Sequence, residues 1–144
     1  QDVAWRVQAV ALPPAEHLDN SRLRARLTDA KTPDASRLAA ASDLAWLERC
    51  EAGHPTEISC LKLADAYLVH MPGELFVEYQ LAAQTMRPND FLAMAAYGDY
   101  GPGYIGTEIA YVQGGYETGR VSRVAPDVER VLMDAMKKLL EVHR

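Results

Sequence analysis

The sequence predicts a mixed α/β (α+β) domain built on a sheet with a parallel βαβ crossover, and three stretches carry that prediction. Ala66-Tyr67-Leu68-Val69-His70-Met71 and Phe91-Leu92-Ala93-Met94-Ala95-Ala96-Tyr97 are short, nearly continuous apolar runs of strand length. Such runs are expected where both faces of a sheet are covered. Between them Phe76, Tyr79, Ala83 and Met86 recur at three, four and three residues, the spacing of an amphipathic helix. Strand, helix and strand at this spacing predict a right-handed parallel crossover.

The remaining elements are placed around this unit. Val3 to Leu12 alternates well enough for a strand, which Pro13 and Pro14 stop. Asp19, Asn20 and Ser21 offer an N-cap to a first helix carrying Leu23 and Leu27. Thr32 as cap, Pro33 at the first helical position and Asp34 in the first turn start a second helix. Leu38, Ala41, Leu44, Ala45, Trp46 and Leu47 carry it to Gly53. The charged residues of these two helices, Asp43 and Glu48 among them, are read as solvated scaffold. Ile58, Cys60, Leu61 and Leu63 suggest a strand, with Asp65 at the following turn. Gly98 to Tyr116 is a Gly- and Tyr-rich loop region in which Ile109 to Val112 is a candidate short strand. A C-terminal amphipathic helix follows Pro126, with Val128, Val131, Leu132, Ala135, Met136, Leu139 and Leu140 on one face.

The 144 residues fit one domain, 1–144, long enough to bury a core without disulfides or metal. Apolar residues make up 49% and charged residues 24%, an ordinary globular composition. Net charge is −5 with scattered cations, so nucleic acid is not an expected partner. No apolar run approaches a membrane span. Cys50 and Cys60 have no metal-motif spacing and are read as buried free thiols, with pairing across the Gly53–Pro55 loop as the alternative. The chain begins at Gln1, which reads as a processed or trimmed product with any targeting segment upstream.

Ligands of open α/β sheets bind beyond the C-terminal strand ends, and two such ends are chemically loaded. At the first, His70-Met71-Pro72-Gly73-Glu74, a sharp turn leads towards a helix. Glu74 either projects into a cleft or simply favours the helix N-terminus through the dipole. At the second, Tyr97 to Glu108, glycines alternate with Tyr97, Tyr100 and Tyr104, and Gly114-Gly115-Tyr116-Glu117 has the same character. These tyrosines either line a cleft or plug a packed loop. His70 reads as a core histidine, His54 as exposed. No two-histidine metal spacing and no Walker or dinucleotide pattern is present.

Pro72-Gly73-Glu74, the helix with Tyr79-Gln80 and Arg87, Gly103-Tyr104-Ile105 with Thr107, Tyr111, and Gly114-Gly115-Tyr116-Glu117 together resemble the neutral, non-lysosomal ceramidases. The strings are most like those of planctomycete-type ceramidase-like proteins. The resemblance runs from about Trp5 to the last helix and is most specific from Met71 to Glu117. It implies the C-terminal part of a ceramidase-like catalytic domain, exported or periplasmic, that hydrolyses a linear amide with zinc. It places two zinc ligands and the catalytic role on Glu74 and Tyr104, with Tyr97, Tyr100 and Tyr116 in the substrate cleft. The two histidine ligands belong to the family's N-terminal half, so the chain by itself is expected to bind no zinc tightly and to be inactive. That half, a lipid or small N-acyl amide, and self-association through the tyrosine-lined face are the expected partners. Where classical ceramidases have Thr-Thr-Met and an Arg-Arg pair, Leu75-Phe76-Val77-Glu78 stands here, a departure that bears on lipid specificity. A non-catalytic binding or structural module derived from such an enzyme is the alternative.

Overall fold

The computed structural model describes residues 3–98 and 101–141. Eleven elements follow one another in them. They are β1 (Val3–Val10), α1 (Asn20–Thr28), α2 (Asp34–Glu51), β2 (Thr56–Leu63), β3 (Ala66–Pro72), β4 (Glu74–Leu75), α3 (Val77–Met86), β5 (Phe91–Gly98), β6 (Tyr104–Ile105), α4 (Glu108–Gln113) and α5 (Val128–Leu139). The mixed α/β class is the predicted one. The main sheet has the order β1-β2-β3-β5. β1 and β2 pair antiparallel, as do β2 and β3, and β3 pairs parallel with β5 through α3, the expected crossover.

One face of this sheet is buried under helices. α5 packs on β1 and β2, and α3 packs on β5 and α5. Ile58, Cys60, Val69 and Met71 meet Tyr79, Ala83, Val128, Leu132 and Met136 in the core. The apolar stripe of α5 supplies Val128, Leu132, Ala135, Met136 and Leu139, all buried, with Val131 half-buried against them. Arg87 closes the far end of α3: its guanidinium donates to the Leu140 carbonyl at the end of α5 and lies 5.0 Å over the Tyr67 ring. That contact satisfies an orphan helix carbonyl.

The other face is open, which corrects the reading of β3 as covered on both sides. Burial along β3 alternates, with Tyr67, Val69 and Met71 inward and Leu68 outward at 44% exposure. His70 points the same way as Leu68 and is half-buried, so it is not a core histidine. It lines a shallow hollow with Trp5, Val7, Glu57 and Ser59. The apolar run was misleading because the outward residues are apolar too.

Helix starts differ in detail. Asp19 caps α1, its carboxylate accepting from the Arg22 N–H at 2.7 Å. Thr32 does not cap α2: Pro33 holds the cap position without a side-chain bond, while the Thr32 hydroxyl turns back to Asp29. Leu38 is 71% exposed, and the buried stripe of α2 is Ala40, Leu44, Trp46 and Leu47. Ile109–Val112 is not a strand but part of α4. The Thr107 carbonyl accepts from the N–H groups of Ala110 and Tyr111, and Gly114, at φ +76°, ends the turn. Cys50 is half-buried, Cys60 is buried, and both are free thiols whose pKa burial raises. No described helix is long and apolar enough to cross a membrane.

Candidate metal centre

The site is built where the parallel strands β3 and β5 end. After Pro72 the chain turns through Gly73, at φ +65°, and enters β4 instead of a helix. α3 begins only at Val77, with Glu78 in its first turn, so Glu74 is not a helix-dipole residue. β4 pairs in parallel with β6, and Glu74 is the register partner of Tyr104. Partners in a parallel ladder project to the same side, which brings the carboxylate and the phenol together. The Glu74 N–H donates to the Gly103 carbonyl at 2.9 Å and the Phe76 N–H to Ile105 at 3.0 Å, framing the pair.

Close backbone approach explains two of the glycines. A Cβ on Gly103, at φ +77°, would sit 2.1 Å from the Val121 carbonyl oxygen. A Cβ on Gly73 would sit 2.7 Å from the Gly103 carbonyl oxygen. Neither position admits a side chain without moving backbone. Tyr97 is bound into the same turn. Its N–H donates to the Gly73 carbonyl at 2.6 Å, and it holds a left-handed φ of +64° that non-glycine residues seldom adopt. Its phenol donates to the Glu74 Oε1 at 3.3 Å.

The result is an open cleft of about 360 Å³ lined by Glu74, Tyr97, Tyr104, Val121, Arg123 and the surrounding glycines. The charge of Glu74 raises the pKa of both Tyr97 and Tyr104, since a second negative charge beside the carboxylate is unfavourable. Tyr116 stands edge-on to Tyr104, ring centroids 6.0 Å apart at 73°, and is itself largely exposed. Tyr100 lies outside the described residues. Glu74, Tyr97 and Tyr104 therefore line one cleft, and Tyr116 touches it only through the Tyr104 ring.

Arg123 was not anticipated. Its Nε donates to Asp43 of α2 at 2.7 Å and its Nη1 to the Gly101 carbonyl at 2.8 Å. Its N–H donates to Pro102, and its carbonyl accepts from the Trp46 indole and the Ala15 N–H. Asp43 is thus an anchor of the site's loop, not a solvated scaffold charge. No motif marks an arginine that reaches a carboxylate eighty positions upstream. Tyr79 anchors the other side, its buried phenol donating to the Gly106 carbonyl at 2.9 Å with its pKa raised by burial. A roomier hollow of about 520 Å³ lies elsewhere, lined by His17, Tyr111, Ser122 and Pro126 among others. Its Tyr111 and Ser122 hydroxyls bond each other at 2.8 Å, and Glu16 lines it too but is not among the groups that shift the Tyr111 pKa, whereas Glu74 shifts that of Tyr104. The chemistry favours the smaller cleft.

A carboxylate and a phenol on one side of a cleft are two oxygen donors suited to zinc. Among the described residues no group of three or more His, Cys, Asp or Glu side chains converges to hold a metal. Glu74 and Tyr104 by themselves are fewer donors than a zinc site takes.

No protein-family model matches the chain, and no curated protein matches its sequence. Solved structures do match its fold. One is the neutral ceramidase from Pseudomonas aeruginosa, with a TM-score of 0.57 and 16% identity over 98% of this chain. Another is a ceramidase complexed with C2, with a TM-score of 0.58 and 15% identity over the whole of it. This chain has the fold of a segment of those proteins and spans 29% and 31% of their lengths.

Proposed function

We propose that this chain carries the carboxylate and phenol ligands of a zinc site in an amide hydrolase of neutral-ceramidase type. The observation that carries the reading is the pairing of Glu74 with Tyr104 across β4 and β6 at the mouth of a cleft. The likeness of fold to solved ceramidases supports it. The substrate class is an N-acyl sphingosine or another linear amide. The remaining ligands come from polypeptide outside this chain, which by itself is inactive.

When bound, zinc supplies a Lewis acid for the amide carbonyl and a water that ionises near neutrality. The chain's own residues do the rest. Glu74 brings the negative charge that a divalent cation requires. Tyr97 holds one carboxylate oxygen by its hydroxyl and so fixes the rotamer of Glu74. The phenol of Tyr104, beside Glu74 at the cleft, would serve as a ligand or donate to an oxyanion. Tyr97 and Tyr104 give the cleft aromatic walls that suit an apolar acyl chain.

The test is hydrolysis of a fluorescent N-acyl amide by the encoded protein, with zinc content measured alongside. Tyr104→Phe is expected to lower turnover roughly 100- to 1,000-fold, the usual effect of losing one oxyanion donor. Glu74→Gln is expected to lower both turnover and zinc content. Unchanged activity in both variants would remove the site, and full activity in chelator would remove the metal.

A further inference from the structure

β5 changes register against β3 beside the cleft. His70 pairs with Ala95 but Pro72 with Gly98, so two steps on β3 meet three on β5. The additional residue is taken up at Ala96-Tyr97, where Tyr97 holds its left-handed φ of +64°. Irregularities of this kind beside a site commonly re-aim a side chain. Backbone strain in a non-glycine residue persists only where its surroundings over-determine it. The Tyr97 ring does not supply that constraint, because the residue is 75% exposed. Two backbone contacts do: the Tyr97 N–H on the Gly73 carbonyl, and Gly98 against β3.

Gly98 is required for space and not for its φ, which is not left-handed. A Cβ there would stand 2.3 Å from the His70 Nε2, 2.7 Å from its Cε1 and 2.8 Å from the Met71 carbonyl oxygen. The imidazole therefore lies directly on the Gly98 backbone, ring against main chain. Gly98 itself lines the cleft with Glu74 and Tyr97, and the Tyr97 hydroxyl donates to the Glu74 Oε1. A continuous set of contacts thus runs from His70 through Gly98 and Tyr97 to Glu74. We propose that His70 is a positioning residue of the cleft: its ring, seated on Gly98, holds the β5 irregularity in the form that aims the Tyr97 hydroxyl at Glu74. The geometric role stands without zinc, and only the effect on turnover rests on the zinc-site reading.

The test is fluorine NMR of the encoded protein labelled with fluorotyrosine, the Tyr97 resonance being assigned by its loss in Tyr97→Phe. Glu74→Gln removes the carboxylate partner and marks how far that resonance moves when the contact is lost. His70→Ala is expected to move it by a comparable amount while the resonances of the buried Tyr67 and Tyr79 stay in place. A general loosening of the fold would move those as well. His70→Phe keeps a ring over Gly98 without the imidazole nitrogens and is expected to restore the parent position. Should the alanine protein not fold, His70→Ser removes the ring but leaves a polar side chain on this face, and the same shift is expected. In amide hydrolysis His70→Ala should lower turnover about 10- to 100-fold, the usual effect of losing a group that holds a ligand. Adding Tyr97→Phe should lower it no further, since both changes break one linkage. A Tyr97 resonance that keeps its parent position in the alanine or serine variant overturns the proposal. So does one that His70→Phe displaces as far as alanine does. A shifted resonance with unchanged turnover upholds the positioning role and counts instead against Glu74 as a zinc ligand.

Discussion

The two sheets of this chain are held by different physics. In the main sheet, eight residue pairs join β1 to β2, and β2, β3 and β5 continue the ladder. A slip of one residue there would turn Ile58, Cys60, Val69 and Met71 out of the core, so burial fixes the register. The β4–β6 sheet has two residue pairs, of which only Leu75–Ile105 is packed into the core. Its register is set by backbone closeness at Gly73 and Gly103 and by the bracing of Arg123 and Tyr79. Most of the buried strand residues lie in the first sheet and the Glu74–Tyr104 pair in the second, which implies that the two can be damaged separately.

The largest expected effect falls on the main sheet. Leu132→Ala empties a fully buried position of α5 against the sheet and is expected to cost about 2–5 kcal/mol. Chemical denaturation measures the loss. Activity per folded molecule in the encoded protein should stay at the unmodified level, and a parallel fall in activity would show that the two sheets are one unit. Gly103→Ala acts in the opposite direction. Forcing a Cβ into a left-handed turn 2.1 Å from a carbonyl oxygen is expected to cost about 1–3 kcal/mol. It should separate Glu74 from Tyr104 and abolish zinc binding, and retention of zinc would mean that the short sheet tolerates a shift in its backbone.

Tyr79→Phe tests the joint between the regions. Losing the bond to the Gly106 carbonyl is expected to cost on the order of 1 kcal/mol. A pH signature accompanies it. Burial raises the folded-state pKa of Tyr79, so the unfolded chain releases this proton first. The stability that the neutral buried phenol contributes is complete below about pH 10, the unfolded value, and falls as pH rises above it. The phenylalanine variant should lose stability less steeply above that pH in denaturation curves. An equal slope in both proteins would mean that Tyr79 ionises as readily in the native state.

Sequence reading reached the main sheet and its helices because their signals are periodic. The three-four-three spacing of α3 and the stripe of α5 translate directly into buried faces. It failed where a local pattern has two physical causes. The apolar run of β3 looks alike whether its outer face is covered by this chain or by something else, and Leu68 and His70 show the outer face to be open. Ile109-Ala110-Tyr111-Val112 is β-branched and aromatic enough for a strand, but Gly114 in a left-handed conformation closes it as a turn of helix. Glu74, Tyr97, Tyr104 and Tyr116 were legible as residues on glycine-rich turns; the structure places the first three along one cleft and Tyr116 beside Tyr104, while Tyr100 lies outside the described residues. Asp43 and Arg123 were illegible, because a salt bridge between residues eighty positions apart leaves no periodic trace.

The smallest effect is a spectroscopic one, and it tests the short sheet most directly. Tyr97 and Tyr104 both face the Glu74 carboxylate, and its charge is the first cause of the raised pKa of each. A raised tyrosine pKa means that the phenolate is disfavoured, so both hydroxyls should ionise later than an ordinary tyrosine as pH rises. Glu74→Gln removes that charge and nearly preserves the side chain's size. In an ultraviolet titration of phenolate absorbance, part of the tyrosine signal should then move to lower pH, towards the usual value near 10. Tyr79, raised by burial and not by this carboxylate in the main, should keep its late titration and serve as the internal reference. Gly103→Ala should reproduce only the Tyr104 part of the change, because Tyr97 is tied to the Gly73 carbonyl and not through β6. Identical titration curves for the parent and Glu74→Gln would mean that the carboxylate stands away from both phenols. The pairing across β4 and β6 would then not describe the cleft in solution.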